Sequence, residues 1–121
     1  MARVLLVSPD AAVRDALRSL LRRRGHELTA RSTFAATDWP RLPTAWHAAF
    51  LDLTEGGDDG LAMVARAREL EPAMRITVLD EGGDSPGLHR MACAVALGAE
   101  EFVRKPIDRL DADAVLDRLG L

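Results

Sequence analysis

The chain has 121 residues, with 16 basic side chains against 19 acidic ones and a net charge of -3, which suits one ordinary domain around one core and argues against two. Apolar residues at 48% and charged residues at 29% exclude a disordered tail, and the slight acidity disfavours a strongly basic nucleic-acid binder.

Arg3 to Val7 (RVLLV) is a short, almost continuous apolar run closed by Ser8-Pro9, the pattern of a strand buried on both faces. Asp10 is placed to cap a helix over about residues 11–24, where Val13, Leu17, Leu20 and Leu21 recur at helical spacing and Gly25 supplies the stop. Glu27 to Arg31 alternates as a weaker strand, and Pro40 and Pro43 confine any second helix to about residues 33–39. His47 to Asp52 (HAAFLD) predicts another buried strand, then the loop TEGGDDG and a helix with Met63, Ala67 and Leu70 on one face before Pro72.

Arg75 to Leu79 (RITVL) predicts the fourth strand, and the glycine-rich, acidic stretch DEGGDSPG after it predicts a mobile loop. Leu88, Met91, Ala92 and Val95 mark a helix that Gly98 ends, Glu101 to Arg104 form a short fifth strand, and Ala112, Val115, Leu116 and Leu119 mark a closing helix. Five strand-helix pairs in succession predict an α/β fold, a doubly wound five-stranded parallel sheet with right-handed crossovers and helices on both faces. Ligands of such sheets bind outside the carboxyl ends of the strands.

Several features take ordinary structural readings. Cys93 is the only cysteine, which rules out an intramolecular disulfide framework and makes a cytoplasmic location the expectation. The start, MARVLLVSPD, is too short in apolar residues for a signal peptide or a spanning helix, so no membrane association is expected. Arg22, Arg23 and Arg24 suit the negative end of the first helix. His26, His47 and His89 lack metal-ligand spacing, Met63, Met91 and Cys93 read as core, and Trp39 and Trp46 as partly buried.

The strand ends carry the chemistry. Ser8, Pro9 and Asp10 follow the first strand, Asp52 ends the third, Asp80 follows the fourth and Lys105-Pro106 follows the fifth. Each aspartate alone reads as a turn or cap residue, but together with Lys105 they place three carboxylates and an ammonium at one sheet edge. Lys105 is the only lysine among the 16 bases, a compact point charge where every other base is a planar fork. A carboxylate in such a cluster can act as a nucleophile toward a phosphoryl group.

VLLV in the first strand, AFLDL around Asp52, Asp59-Gly60 and GAEEFVRKP from Gly98 to Pro106 together resemble the receiver domain of two-component response regulators over nearly the whole chain. The resemblance implies the flavodoxin-like strand order 2-1-3-4-5, Asp52 as phosphoacceptor and Lys105 as the phosphoryl-contacting lysine. It places Asp80 and Phe102 at the two switch positions, and it implies magnesium as cofactor with Asp10, Asp52 and the Thr54 carbonyl as candidate ligands. It also implies a sensor histidine kinase or phosphotransfer protein upstream. Downstream it implies a partner protein or second copy on the face of the fourth helix, fifth strand and fifth helix of the expected five pairs, near Phe102, Arg104 and Arg109.

The chain also departs from the family pattern. Ser8 and Pro9 stand where the family has two acidic, metal-holding residues, which leaves a weak magnesium site or none. Asp80 replaces the switch Ser or Thr, Glu81 replaces the small residue after it, and Glu55-Gly56 replaces the usual Met-Pro. Two carboxylates ~4 Å apart repel by roughly 4 kcal/mol at an effective dielectric of ~20, so Asp52 and Asp80 are expected to need a cation, with Lys105 offsetting one of them.

Two readings follow, neither of them an enzyme. One is a phosphorelay receiver modified at Asp52. The other is a pseudo-receiver, a phosphorylation-independent interaction module in which Asp80 pairs with Lys105, and the departures favour it in mechanism. A phosphohydrolase using Asp52 lacks a second carboxylate on its strand end, and SPDAAV has no glycine-rich cradle for a nucleotide. The closing helix ends with the chain, so residues 1–121 read as a single receiver-like domain, either free-standing or a fragment of a longer protein.

Overall fold

The computed structural model describes residues 2–32, 46–53, 57–80, 85–105, 107 and 109–121, and among these the side chains of 57–59, 85–88 and 109–110 are not described. The expected helix over 33–39 lies outside the described residues, as do Trp39, Thr54, Glu55, Glu81 and Pro106. Five strands, β1 (Arg3–Val7), β2 (Glu27–Arg31), β3 (Ala48–Asp52), β4 (Arg75–Asp80) and β5 (Glu101–Arg104), form one sheet in the order β2-β1-β3-β4-β5. Every pairing is parallel, as the continuous apolar runs predict.

Four helices are described: α1 (Ala11–Arg23), α2 (Gly57–Leu70), α3 (Ser85–Ala96) and α4 (Arg109–Arg118). α1 and α4 cover one face, with Leu17, Leu21, Val115 and Leu116 packed on Val4, Leu6 and Phe50. α2 and α3 cover the other, with Val64, Ala67 and Ala94 packed near Leu5, Ala49, Leu51, Ile76 and Val78. The expected α/β sheet with both faces covered is therefore present, and α3 and α4 are the helices flanking β5 in sequence.

α1 forms as its pattern predicts. The Asp10 carboxylate accepts the Ala12 N–H at 2.9 Å at the N-cap, and Gly25 turns the chain away at φ +79°. Arg24 next to that turn reaches Asp113 at 2.8 Å and Asp117 at 2.9 Å, tying α1 to α4. Those hydrogen bonds, Asp113 first, hold the Arg24 guanidinium above its ordinary range. His26 and His47 are structural rather than ligating: their Nδ1 atoms accept the N–H groups of Ala2 at 3.0 Å and Arg3 at 2.9 Å.

Two helices depart from expectation. α2 begins at Gly57, inside the stretch read as loop, and its buried stripe is Gly60, Val64 and Ala67 rather than Met63, Ala67 and Leu70. Gly60 is there for proximity: a Cβ on it would stand 3.0 Å from Leu53 Cδ2, so glycine lets the helix approach the end of β3. Met63 is only partly buried and Leu70 is exposed.

α3 likewise begins at Ser85, inside the expected loop, and it turns Ala94 to the sheet while Val95 stays 56% exposed and Ala92 lies outside. Its sequence is apolar almost all round, so periodicity alone does not select the buried side. Met91 is partly buried, and Cys93 is partly exposed with its sulfur 3.6 Å from His89 Nε2. Trp46 is more buried than expected, at 5% exposure, with the Arg3 guanidinium 5.4 Å from its ring centroid.

The turn from α3 into β5 depends on Gly98. Its φ is +118°, and a Cβ there would stand 2.7 Å from Arg68 Nε. Arg68 needs that place, because it donates to the carbonyls of Pro72, Met74 and Gly98, each at 2.7 Å. Gly98→Ala is expected to cost about 1–3 kcal/mol from the backbone alone, read as a lower urea midpoint, whereas Gly25→Ala meets no neighbouring atom and should cost less. Equal losses in the two variants would refute the packing argument.

Candidate functional site

Parallel pairing brings the carboxyl ends of β1, β3, β4 and β5 to one edge, and strand alternation decides which face each side chain takes. Ser8 continues the alternation of Val4 and Leu6, and Asp52 that of Ala48 and Phe50, so both turn toward the α1 and α4 side. Asp80 continues Ile76 and Val78 and turns toward the α2 and α3 side. Asp52 is in register with Leu79, one residue short of Asp80. The expected side-by-side repulsion of Asp52 and Asp80 is therefore replaced by two separate carboxylates, one on each face.

The Asp52 side chain is fully buried and engaged. Ser8 Oγ donates to Asp52 Oδ2 at 2.6 Å, and Lys105 Nζ donates to the same oxygen at 2.9 Å. The Ser8 hydroxyl in turn accepts the Asp10 N–H at 3.2 Å, which leaves its proton directed at Asp52. Arg14 Nη1 donates to the Ser8 carbonyl at 2.7 Å and steadies the same turn. The Lys105 ammonium also stands 3.9 Å from Asp10, whose side chain is 43% exposed and capping α1. Asp52, Lys105 and Asp10 thus come together as the strand-end reading expects.

Asp80 is also buried, and its partner corrects the expected Asp80–Lys105 pair. Arg90 on α3 grips it with both arms of its fork, Nε to Oδ2 at 2.6 Å and Nη2 to Oδ1 at 3.0 Å. Lys105 meets Asp80 through the backbone, its N–H donating to the Asp80 carbonyl at 2.9 Å. Phe102, in register with Val78, is half-buried against the α2 and α3 side. Thr77 Oγ1, one strand position before Val78, is buried with no hydrogen-bond partner in the structure.

Sequence reasoning missed Arg90 and the role of Ser8. The signal for Arg90 was available in principle, since a carboxylate at the end of a buried strand requires a cation and the next helix offers one arginine. The signal for Ser8 was its parity with Val4 and Leu6, which aims its hydroxyl at the neighbouring strand end.

A divalent cation at this edge would require oxygen ligands with lone pairs turned inward and one or two well-placed carboxylates. Among the described residues no group of three or more His, Cys, Asp and Glu side chains gathers in a metal-holding arrangement. The described donors suit an ammonium better: Ser8 presents a proton rather than a lone pair, and Lys105 stands between the two carboxylates. Lys105→Ala is expected to destabilise the domain by about 3–5 kcal/mol, because it removes the ammonium from a buried carboxylate. Adding Asp52→Asn should recover part of that loss, so a double-mutant cycle on urea midpoints tests the pairing, and strict additivity would refute it.

No family model matches the chain. It is 27% identical over 104 residues to the alginate biosynthesis transcriptional regulatory protein AlgB of Pseudomonas syringae pv. tomato, covering 86% of this chain and 22% of that protein. The chain spans less than a quarter of the length of the curated relatives it matches, 22% of one and 24% of the other. Among solved structures it superposes on a response regulator from Thermotoga maritima with a TM-score of 0.83 and 20% identity, covering 100% of this chain and 99% of that one. It superposes on a response regulator protein from Burkholderia pseudomallei, crystallised with a phosphorylated aspartic acid, a calcium ion and citrate, with a TM-score of 0.79 and 23% identity over 96% of this chain and 66% of that one. The chain has the fold and the strand order of the response regulators it superposes on, and its sequence resembles that of curated transcriptional regulators at 27% identity.

Proposed function

We propose that this receiver-type domain works as a phosphorylation-independent interaction module in two-component signalling. The observation that carries the reading is the Ser8 Oγ to Asp52 Oδ2 hydrogen bond at 2.6 Å. Where the family pattern implies acidic residues that would hold magnesium beside the phosphoacceptor, this chain supplies a hydroxyl donor that caps the carboxylate itself. With Lys105 on the same oxygen, the buried Asp52 side chain has its charge compensated without a metal. Magnesium has a poor donor set here, and the chemistry it would supply, bridging a carboxylate and a phosphoryl oxygen, is assigned no step.

The charge of the edge supports the same reading. A phosphoryl donor is a polyanion, and the 43% exposed Asp10 side chain adds a carboxylate to the edge it would approach. Under this reading the partner is a protein that reads α3, β5 and α4, where Val95 and Arg104 are exposed.

A specific contact favours a second reading. Lys105 Nζ at 2.9 Å from Asp52 is placed to neutralise the oxygens of a phosphoryl group carried there, which keeps a histidine kinase or phosphotransfer protein as the donor to Asp52. The two readings separate in one experiment. The chain is incubated with acetyl phosphate and millimolar magnesium, and phospho-aspartate is sought by mass spectrometry with Asp52→Ala as control. The module reading expects no Asp52-dependent adduct and no magnesium-dependent amide shifts at Asp10 and Asp52. A robust adduct that disappears in Asp52→Ala would establish the phosphoacceptor instead.

A further inference from the structure

The carboxyl end of β4 holds a second buried charge that the phosphoacceptor reading does not use. Asp80 has no solvent exposure, and its compensation comes from a different element, the Arg90 guanidinium on α3. The contact is a two-point, planar grip, which fixes direction as well as distance. The grip is continuous with the phosphoacceptor edge, because the Asp80 carbonyl accepts the Lys105 N–H and Asp52 is in register with the residue before Asp80.

The other described side chains of α3 make apolar contacts only in part. Ala94 is its fully buried described side chain, while Ala92, Val95 and Ala96 are exposed and Met91 is partly buried. An apolar contact is non-directional, whereas a bidentate pair to a buried carboxylate fixes where a helix sits on a sheet.

We propose that Arg90 is a charge latch that holds α3 against the end of β4 in one position, and that this position does not depend on the chemical state of Asp52. The inference rests on the module reading, and it specifies how that reading is built. A switch residue with a hydroxyl exchanges hydrogen bonds at little cost, but a buried carboxylate that loses a guanidinium loses two charge-assisted hydrogen bonds at once. Movement of α3 is thereby coupled to breaking the two-point grip on Asp80. Among the described residues, the nearest groups at that strand edge are Lys105, through its backbone, and Asp52 and Ser8 across the sheet on the opposite face.

Hydrogen exchange on the full chain tests the latch, comparing α3 amides over 85–96 with amides of β1 and β3 as a measure of global stability. In Arg90→Gln the α3 amides should exchange about tenfold faster or more, with β1 and β3 much less affected. Arg90→Lys should fall between, since an ammonium keeps the charge and loses the fork. If Arg90→Gln loosens the whole domain, the paired variant Asp80→Asn with Arg90→Gln removes the buried charge and decides. Faster exchange confined to α3 supports the latch, and wild-type protection of α3 in that variant overturns it. Unchanged α3 exchange in Arg90→Gln overturns it as well. Treating the wild-type chain with acetyl phosphate and magnesium separates the two ideas: an Asp52 adduct that leaves α3 exchange unchanged overturns the module reading and keeps the latch, and an adduct that speeds α3 exchange overturns both.

Discussion

Two carboxylates are buried at the carboxyl edge of a parallel sheet, and the arrangement of everything near them follows from the need to compensate each one. An ionised carboxylate taken from water without a partner costs several kcal/mol, which is comparable to the whole stability of a small domain. Asp52 is met by an ammonium from the end of β5 and a hydroxyl from the end of β1. Asp80 is met by a guanidinium from α3. The ends of three strands are thereby tied together on one face of the sheet, and a helix is tied to a fourth strand end on the other.

This division also accounts for which parts of the molecule were legible in the sequence. α1 is strongly amphipathic, so Val13, Leu17, Leu20 and Leu21 are read correctly as buried from spacing, and Ala112, Val115 and Leu116 of α4, with Leu119 just beyond it, are buried as expected. The strands are legible because RVLLV and RITVL are continuous apolar runs bounded by turn residues. α2 and α3 fail for opposite reasons. Gly60 reads as a loop residue because its lack of a side chain is needed for approach to Leu53, a tertiary requirement that leaves no local mark. α3 is apolar on too many sides for its pattern to choose one, and among the described residues Arg90 and Ala94 mark the side that faces the sheet.

The site was legible in its members and not in its pairings. Placement of Asp52 and Lys105 after successive strands needs only the parallel order, because every strand end lies at the same edge. Which carboxylate meets which cation depends on the alternation of side chains along β3 and β4, and that depends on register. A one-residue offset between Asp52 and Asp80 sends them to opposite faces and removes the repulsion that proximity at the edge suggests.

The two cations are not interchangeable, and this gives the solitary lysine a physical reason. The Asp52 oxygen is shared between Lys105 and the Ser8 hydroxyl, with a second carboxylate at 3.9 Å, so the cation there must be compact and leave room for another donor. An ammonium meets that requirement, and a guanidinium would take both oxygens of Asp52 and displace the hydroxyl. Asp80 has the opposite requirement. Arg90 reaches both of its oxygens from a single helix, a geometry that suits a planar fork and not a point charge. A chain that uses arginine for all its other positive charges uses lysine where a fork would disrupt the hydrogen bond that distinguishes this edge from a magnesium site.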